Sequence, residues 1–266
     1  MRGLLLDLDG VLYVGDEPVA GAAQAVGWFR EHDVPHRFLT NTTSRPREAI
    51  VAKLASMGLE VGADEVITPA VAAVAWLRER AIERPALFVP GATAAEFAML
   101  SPLPDGLDGT AGGAGAVVVG DLGRGWDFDT LNRAFRLLMA DPAVPLVALG
   151  LTRYWRAEDG LRLDAGPYVR ALEYATGREA VVLGKPDAGF YRSAVSALGL
   201  EGPGTAAATV MVGDDVRGDV GGAQAAGLVG VLVRTGKFSS ADLDGAVVPD
   251  AVLDSVADLP GWWGSA

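Results

Sequence analysis

Runs of roughly five apolar, β-rich residues alternate along the chain with longer stretches of helical periodicity. Eight such runs read as strands: "GLLLDL", "PHRFLTN", "PALFVPG", "GAVVVGD", "PLVALG", "EAVVLGK", "ATVMVGDD" and "VGVLVRTG". Helical spacing recurs near Ala20 to His32, Arg47 to Met57, Ala70 to Glu83, Phe128 to Met139, Tyr168 to Ala175, Phe190 to Leu198 and Gly221 to Ala226. Pro46 at one helix start and Gly58 just past its end are the residues expected at those termini. Strands alternating with helices in this way predict an α/β fold, a doubly wound, Rossmann-like parallel sheet covered on both faces.

One segment departs from the alternation. "YWRAEDGLRLD", Tyr154 to Asp164, centres on an Asp159-Gly160 turn and predicts a β-hairpin. It points to an inserted α/β cap with its own sheet at residues 83–179, bounded by Pro85 and Gly177. Residues 1–82 and 180–266 then form one discontinuous core. "GTAGGAG", Gly109 to Gly115, has the composition of a flexible loop, and the terminal "PGWWGSA" sets Trp262 and Trp263 to dock on the core.

Composition narrows the chemistry. With 266 residues, half of them apolar, the chain has ample material for a packed core. It has no cysteine, which excludes disulfides, thiolate metal sites and a cysteine nucleophile together. The two histidines, His32 and His36, make a histidine-rich zinc site a poor fit and read as solvated or packing residues. No apolar run approaches the roughly 20 residues of a membrane span, and Asp7 comes too early for a secretory signal. The expectation is a soluble cytoplasmic protein with no membrane partner. A net charge of −12 argues against nucleic acid, whose backbone is held by clustered Lys and Arg. An anionic substrate would need local positive groups to oppose that field.

Against this background Asp7 and Asp9 are conspicuous, because both lie at the end of the first apolar run. A buried, unpaired carboxylate costs several kcal/mol, so the pair must be solvated, matched with cations or bound to metal. Extended residues two apart face the same side, and Gly10 then lets the backbone turn tightly toward a ligand. Three further runs also end in polar chemistry: "FLTNTT" presents Thr40 and Asn41, "VVLGKPD" presents Lys185, and "VMVGDDVRGD" presents Asp214, Asp215 and Asp219. Ligands of open α/β sheets bind outside the carboxyl ends of the strands, so the four segments can converge. Asp7 with Asp214 makes an oxygen site of the kind Mg²⁺ accepts, and Thr40, Asn41, the turn amides near Gly10 and Lys185 offer donors and positive charge to a phosphate. Taken singly, each motif is equally a turn, a helix cap or a solvated loop. Together, in this order, they are hard to read as coincidence.

Asp7-x-Asp9-Gly10, Thr40-Asn41, Gly184-Lys185-Pro186 and Gly213-Asp214-Asp215 with Asp219 resemble, in order, the four motifs of the haloacid dehalogenase-like hydrolase superfamily. The insertion resembles the C2-type cap of its class IIA branch. The resemblance implies a phosphatase in which Asp7 is the nucleophile and forms an aspartyl-phosphate, while Asp9 protonates the leaving group and then activates water. It implies Mg²⁺ held by Asp7, the Asp9 carbonyl and Asp214, with Asp215 or Asp219 orienting the metal's waters. Thr40 and Lys185 would cradle the phosphoryl oxygens. The resemblance further implies a small phosphorylated metabolite as partner (a phosphomonoester, phosphoamino acid or pyrophosphate), and a homodimer through the cap is a candidate assembly.

The cap would select the leaving group and exclude water. Arg153 could meet an anionic leaving group and Tyr154 or Trp155 stack on a ring, although an ordinary packed hairpin explains the same residues. Arg45 is a candidate anion contact or a solvated first-turn residue. A phosphomutase or phosphotransferase on the same core, and a non-catalytic phosphate-binding scaffold, stand as alternatives. A receiver domain that handles phospho-aspartate predicts a shorter chain without the hairpin.

Overall fold

The computed structural model describes residues 1–43, 45–104, 113–157, 160–200 and 202–265. Residues 109–112 of the glycine-rich stretch and Asp159 of the expected turn lie outside them. In chain order the strands are β1 (Gly3–Asp7), β2 (Tyr13–Val14), β3 (Glu17–Pro18), β4 (His36–Leu39), β5 (Val66–Ile67), β6 (Pro85–Phe88), β7 (Ala116–Val119), β8 (Leu146–Ala148), β9 (Tyr154–Ala157), β10 (Gly160–Leu163), β11 (Val181–Val182), β12 (Thr209–Gly213), β13 (Val229–Val233) and β14 (Ala251–Leu253). They are distributed over two compact units, one of Met1–Thr40, Arg47–Ile67 and Lys185–Ala266, the other of Asn41–Pro46 and Thr68–Gly184.

In the first unit six strands form one sheet in the order β14-β13-β12-β1-β4-β5, with every pairing parallel. β1 and β12 are buried along their whole length, which explains their unbroken apolar sequences. The chain leaves β1 for β4 and β5 on one side and returns through β12 to β13 and β14 on the other. The direction of winding therefore reverses between β1 and β12, and a ligand crevice opens at the carboxyl ends beside such a reversal. Flanking helices bury a stripe at helical spacing; Ala22, Ala25, Val26 and Phe29 of the helix Ala22–Glu31 join Leu4, Leu6 and Val212 in one cluster. Trp262 and Trp263 pack against the same cluster, as their place in the sequence suggested.

The second unit has a parallel sheet in the order β11-β8-β7-β6 and a separate antiparallel hairpin of β9 and β10. Its helix Phe128–Ala140 starts at Asp127, whose side chain accepts the Thr130 amide at 2.8 Å. Arg178 closes the other end of that helix, donating to the carbonyls of Leu138, Asp141 and Val144. Leu138 and the cap residue Asp141 carry carbonyls that the helix cannot satisfy itself, and Val144 lies in the turn that leads to β8. The hairpin exposes Tyr154, Trp155, Leu161 and Leu163 instead of packing an aromatic beneath it.

All eight strand runs and all seven helices read from the periodicity are present. The short strands β2, β3, β5 and β14, of two or three residues, were not among the runs read. No helix among the described residues is long and apolar enough to cross a membrane.

Arg178→Ala should strip the last turn of Phe128–Ala140 of its donors and cost about 1–2 kcal/mol, and Arg178→Lys should not recover the fork. Faster hydrogen exchange of amides 134–141 in both variants checks this; unchanged exchange in Arg178→Ala would rule it out.

Candidate active site

β1 delivers Asp7 at its last position and β12 delivers Asp214 one residue past its end, on neighbouring parallel strands. Asp7, Asp214 and Asp219 are each buried, and one oxygen from each lies within 4.8 Å of the others. Lys185, itself buried, sits between two of them, 2.8 Å from Asp7 Oδ1 and 2.7 Å from Asp219 Oδ1. Asp7 Oδ1 also accepts the Leu8 amide at 2.8 Å. Asp219 is held on both oxygens, since its Oδ2 accepts the Asp215 amide at 3.1 Å. Asp214 is held on one: Oδ2 accepts the Lys237 amide at 2.7 Å, while Oδ1 is buried without a partner.

Charge is out of balance here, with three buried carboxylates facing one buried ammonium. Burial raises Asp7, and Lys185 offsets only part of that rise. Asp219 is pushed up to about 6 by burial, again opposed by Lys185. Burial likewise raises Asp214, with the Lys237 amide and charge pulling back. Burial alone would push Lys185 down, but the Asp219 and Asp7 carboxylates hold it above its ordinary value. An all-oxygen set, an excess of negative charge and an orphaned Asp214 Oδ1 fit a hard divalent cation. Asp7 and Asp214 are the oxygens on offer, whereas both oxygens of Asp219 are already committed to Lys185 and the Asp215 amide.

The other expected residues are placed as follows. Thr40, buried, follows β4 directly, with its amide donating to the Ile67 carbonyl at 3.2 Å. Asp9 is exposed beside Asp7, bridged to Tyr13. The Gly10 amide donates to the Tyr13 carbonyl at 2.7 Å, so Gly10 contributes room instead of a donor: a Cβ there would lie 1.9 Å from Asp214 Oδ2. Asp215 caps the following turn through the Arg217 and Gly218 amides. Asn41, Arg45, Arg153, Tyr154 and Trp155 belong to the second unit, all exposed at the surface. There Arg153 lies over the Tyr154 ring at 5.8 Å and Arg162 over Trp155 at 5.7 Å.

Sequence profiles agree with this geometry: residues 4–99 match the haloacid dehalogenase-like hydrolases and residues 182–259 match a HAD-hydrolase-like family. The phospholysine phosphohistidine inorganic pyrophosphate phosphatase of Bos taurus is 39% identical over 97% of this chain and 92% of its own. The chain belongs to the haloacid dehalogenase-like hydrolases. Its likeness lies with the C2-capped class IIA branch, and it is an enzyme of the phosphatase kind. Among solved structures, the p-nitrophenyl phosphatase from Archaeoglobus fulgidus is 29% identical with a TM-score of 0.84, covering 98% of each chain. A glycerol phosphate phosphatase from Mycobacterium tuberculosis, solved with calcium and with magnesium, is 28% identical with a TM-score of 0.80 over 97% of this chain and 74% and 76% of those chains.

Two parts of the candidate site escaped the reading of the sequence. Tyr191, fully buried, donates its hydroxyl to the carbonyls of Gly218 (2.7 Å) and Asp219 (3.2 Å), steadying the turn that carries Asp219. Burial and the nearby Asp219 and Asp7 carboxylates keep that hydroxyl protonated. The loop Thr235 to Lys237, after β13, closes on Asp214 and Gly10. Its signal was available as a Gly-Lys pair following an apolar strand, the same form as Gly184-Lys185.

The acidic cluster fixes the sign of a pH effect. Asp219 binds its proton more tightly folded than unfolded, so the metal-free protein loses stability as pH rises from about 4 through about 6. A divalent cation replaces those protons. The rise in Tm on adding one should be larger near about pH 7.5 than near about pH 5, and equal rises in a thermal melt would place the cation elsewhere.

Proposed function

We propose that the enzyme is a Mg²⁺-dependent phosphatase that hydrolyses a small phosphorylated metabolite through an aspartyl-phosphate on Asp7. The observation that carries this reading is Asp7 held at a strand end by Lys185, beside Asp214 with an unpartnered oxygen. Asp7 supplies the nucleophilic carboxylate, fixed in place by the Lys185 ammonium and the Leu8 amide. Asp9, exposed and therefore free to exchange protons with water and substrate, gives a proton to the leaving oxygen and later takes one from the attacking water. Lys185 and Thr40, with Asn41 next to it in the chain, hold the phosphoryl oxygens, and Asp219 keeps Lys185 pointed at Asp7.

Mg²⁺ would be held by Asp7, the Asp9 carbonyl and Asp214, and would screen the repulsion between the nucleophile and an anionic substrate. Asp215 supports the same loop through its turn hydrogen bonds. Residues 83–179 act as the cap, with Arg153, Tyr154, Trp155 and Arg45 as leaving-group contacts and a homodimer as the assembly. The exposed aromatic and guanidinium pairs of the hairpin support that role. The resemblance to the phospholysine phosphohistidine inorganic pyrophosphate phosphatases supports phosphoramidates and pyrophosphate as substrates to try first.

Phosphate release from phosphomonoesters, phosphoramidates and pyrophosphate, with and without Mg²⁺, tests the reading. Asp7→Asn should lower it about a thousandfold or more, and release that survives in Asp7→Asn would refute the mechanism. Asp9→Asn should instead accumulate phospho-enzyme from an activated ester and stall, visible by intact-mass spectrometry. A variant that forms none leaves Asp9 with some other role.

A further inference from the structure

Beyond the four motif-bearing strand ends, a fifth loop converges on the site. Thr235 Oγ1 donates to the Gly10 carbonyl, tying the end of β13 to the turn after β1 across 225 residues of chain. Next to it Gly236 has φ +63°, and a Cβ at this position would lie 2.1 Å from Asp214 Oδ2 and 2.5 Å from Gly10 Cα. Lys237 then donates its amide to that same Oδ2 at 2.7 Å. Gly10, with φ +87°, closes the other side of Oδ2. One oxygen of Asp214 is thus enclosed by two side-chain-free backbones and fixed by an amide, and its twin Oδ1 is buried without a hydrogen-bond partner.

We propose that Thr235, Gly236 and the Lys237 amide form a positioning clamp that makes Asp214 a one-oxygen ligand and thereby favours Mg²⁺ over Ca²⁺. The inference rests on Asp214 being a metal ligand. Its physical basis is the difference between the two ions. Mg²⁺ demands a small, near-octahedral shell with single-oxygen carboxylates, while Ca²⁺ takes six to eight oxygens and readily uses both oxygens of one carboxylate. With Oδ2 held by the Lys237 amide and walled in by the Gly10 and Gly236 backbones, the two-oxygen mode is disfavoured. Releasing the clamp lets the carboxylate rotate, which harms the ion needing strict geometry and opens the mode that suits the larger one.

Isothermal titration of the metal-free full-length protein with Mg²⁺ and with Ca²⁺ tests this through dissociation constants, without recourse to turnover. Thr235→Val, which removes the hydroxyl donor at nearly constant volume, should weaken Mg²⁺ about tenfold while leaving Ca²⁺ little changed or tighter. Thr235→Ser should restore the wild-type ratio. Gly236→Ala should shift the ratio in the same direction, and Thr235→Val serves alone if the alanine variant does not fold. An unchanged Mg²⁺ constant and Mg²⁺-to-Ca²⁺ ratio in Thr235→Val, alongside lost binding in Asp214→Asn, would overturn the clamp and leave the site reading intact. Wild-type affinity in Asp214→Asn would overturn that reading itself.

Discussion

The site depends on a single buried cation. Lys185 touches Asp7 and Asp219 at once and offsets part of the cost of burying three carboxylates together. Removing one partner of a buried ion pair leaves a bare charge and costs more than the pair contributes, so Lys185 is structural before it is chemical. Yet it does not neutralise the cluster. Asp7, Asp214 and Asp219 all remain raised, and that residual negative charge is what makes the crevice a cation site.

Everything around this cluster serves to keep it rigid without closing it. Asp219 is held on both oxygens, its turn is anchored by Tyr191 and its side chain lies against Gly213, where a Cβ would come within 2.2 Å. Asp215 stabilises the same turn from outside. Asp214 is treated differently, with one oxygen locked and one left bare. The division separates two tasks: one acid holds the lysine, and another keeps a buried oxygen without a partner. The buried polar groups are satisfied where they must stay still and unsatisfied where a ligand completes them.

The sheet explains why residues so far apart in sequence can share this work. Winding reverses between β1 and β12, the place in an open α/β sheet where the carboxyl ends of the strands offer a ligand site. Asp7 and Asp214 border it directly, and Thr40 follows the next strand outward. On the other side, β13 brings Thr235, Gly236 and Lys237 to the edge of the same opening. Backbone is the working surface of that loop, which places it beyond the reach of a search for reactive side chains.

Periodicity alone determined most of the secondary structure, because each long strand is an unbroken apolar run and each long helix repeats its buried face. It also placed Asp7, Thr40 and Asp214 at the ends of strands of the six-stranded sheet, where the apolar run stops; Lys185 instead follows β11, which pairs with β8 in the second unit's sheet and not with the strands of the first. Short β5 and β14 gave no such pattern; their place is set by the neighbouring strands that hydrogen-bond to them. The partnering of charges was decided only in three dimensions. A sequence displays Asp219 and Asp214 as equals five positions apart, and nothing local says that one is spent on Lys185 while the other keeps a bare oxygen. Likewise the Gly10 amide is consumed by Tyr13, and Gly236 matters because another backbone passes within contact distance. Strand ends follow from local apolar pattern, but which hydrogen bonds are left unmade follows from how distant loops pack against one another.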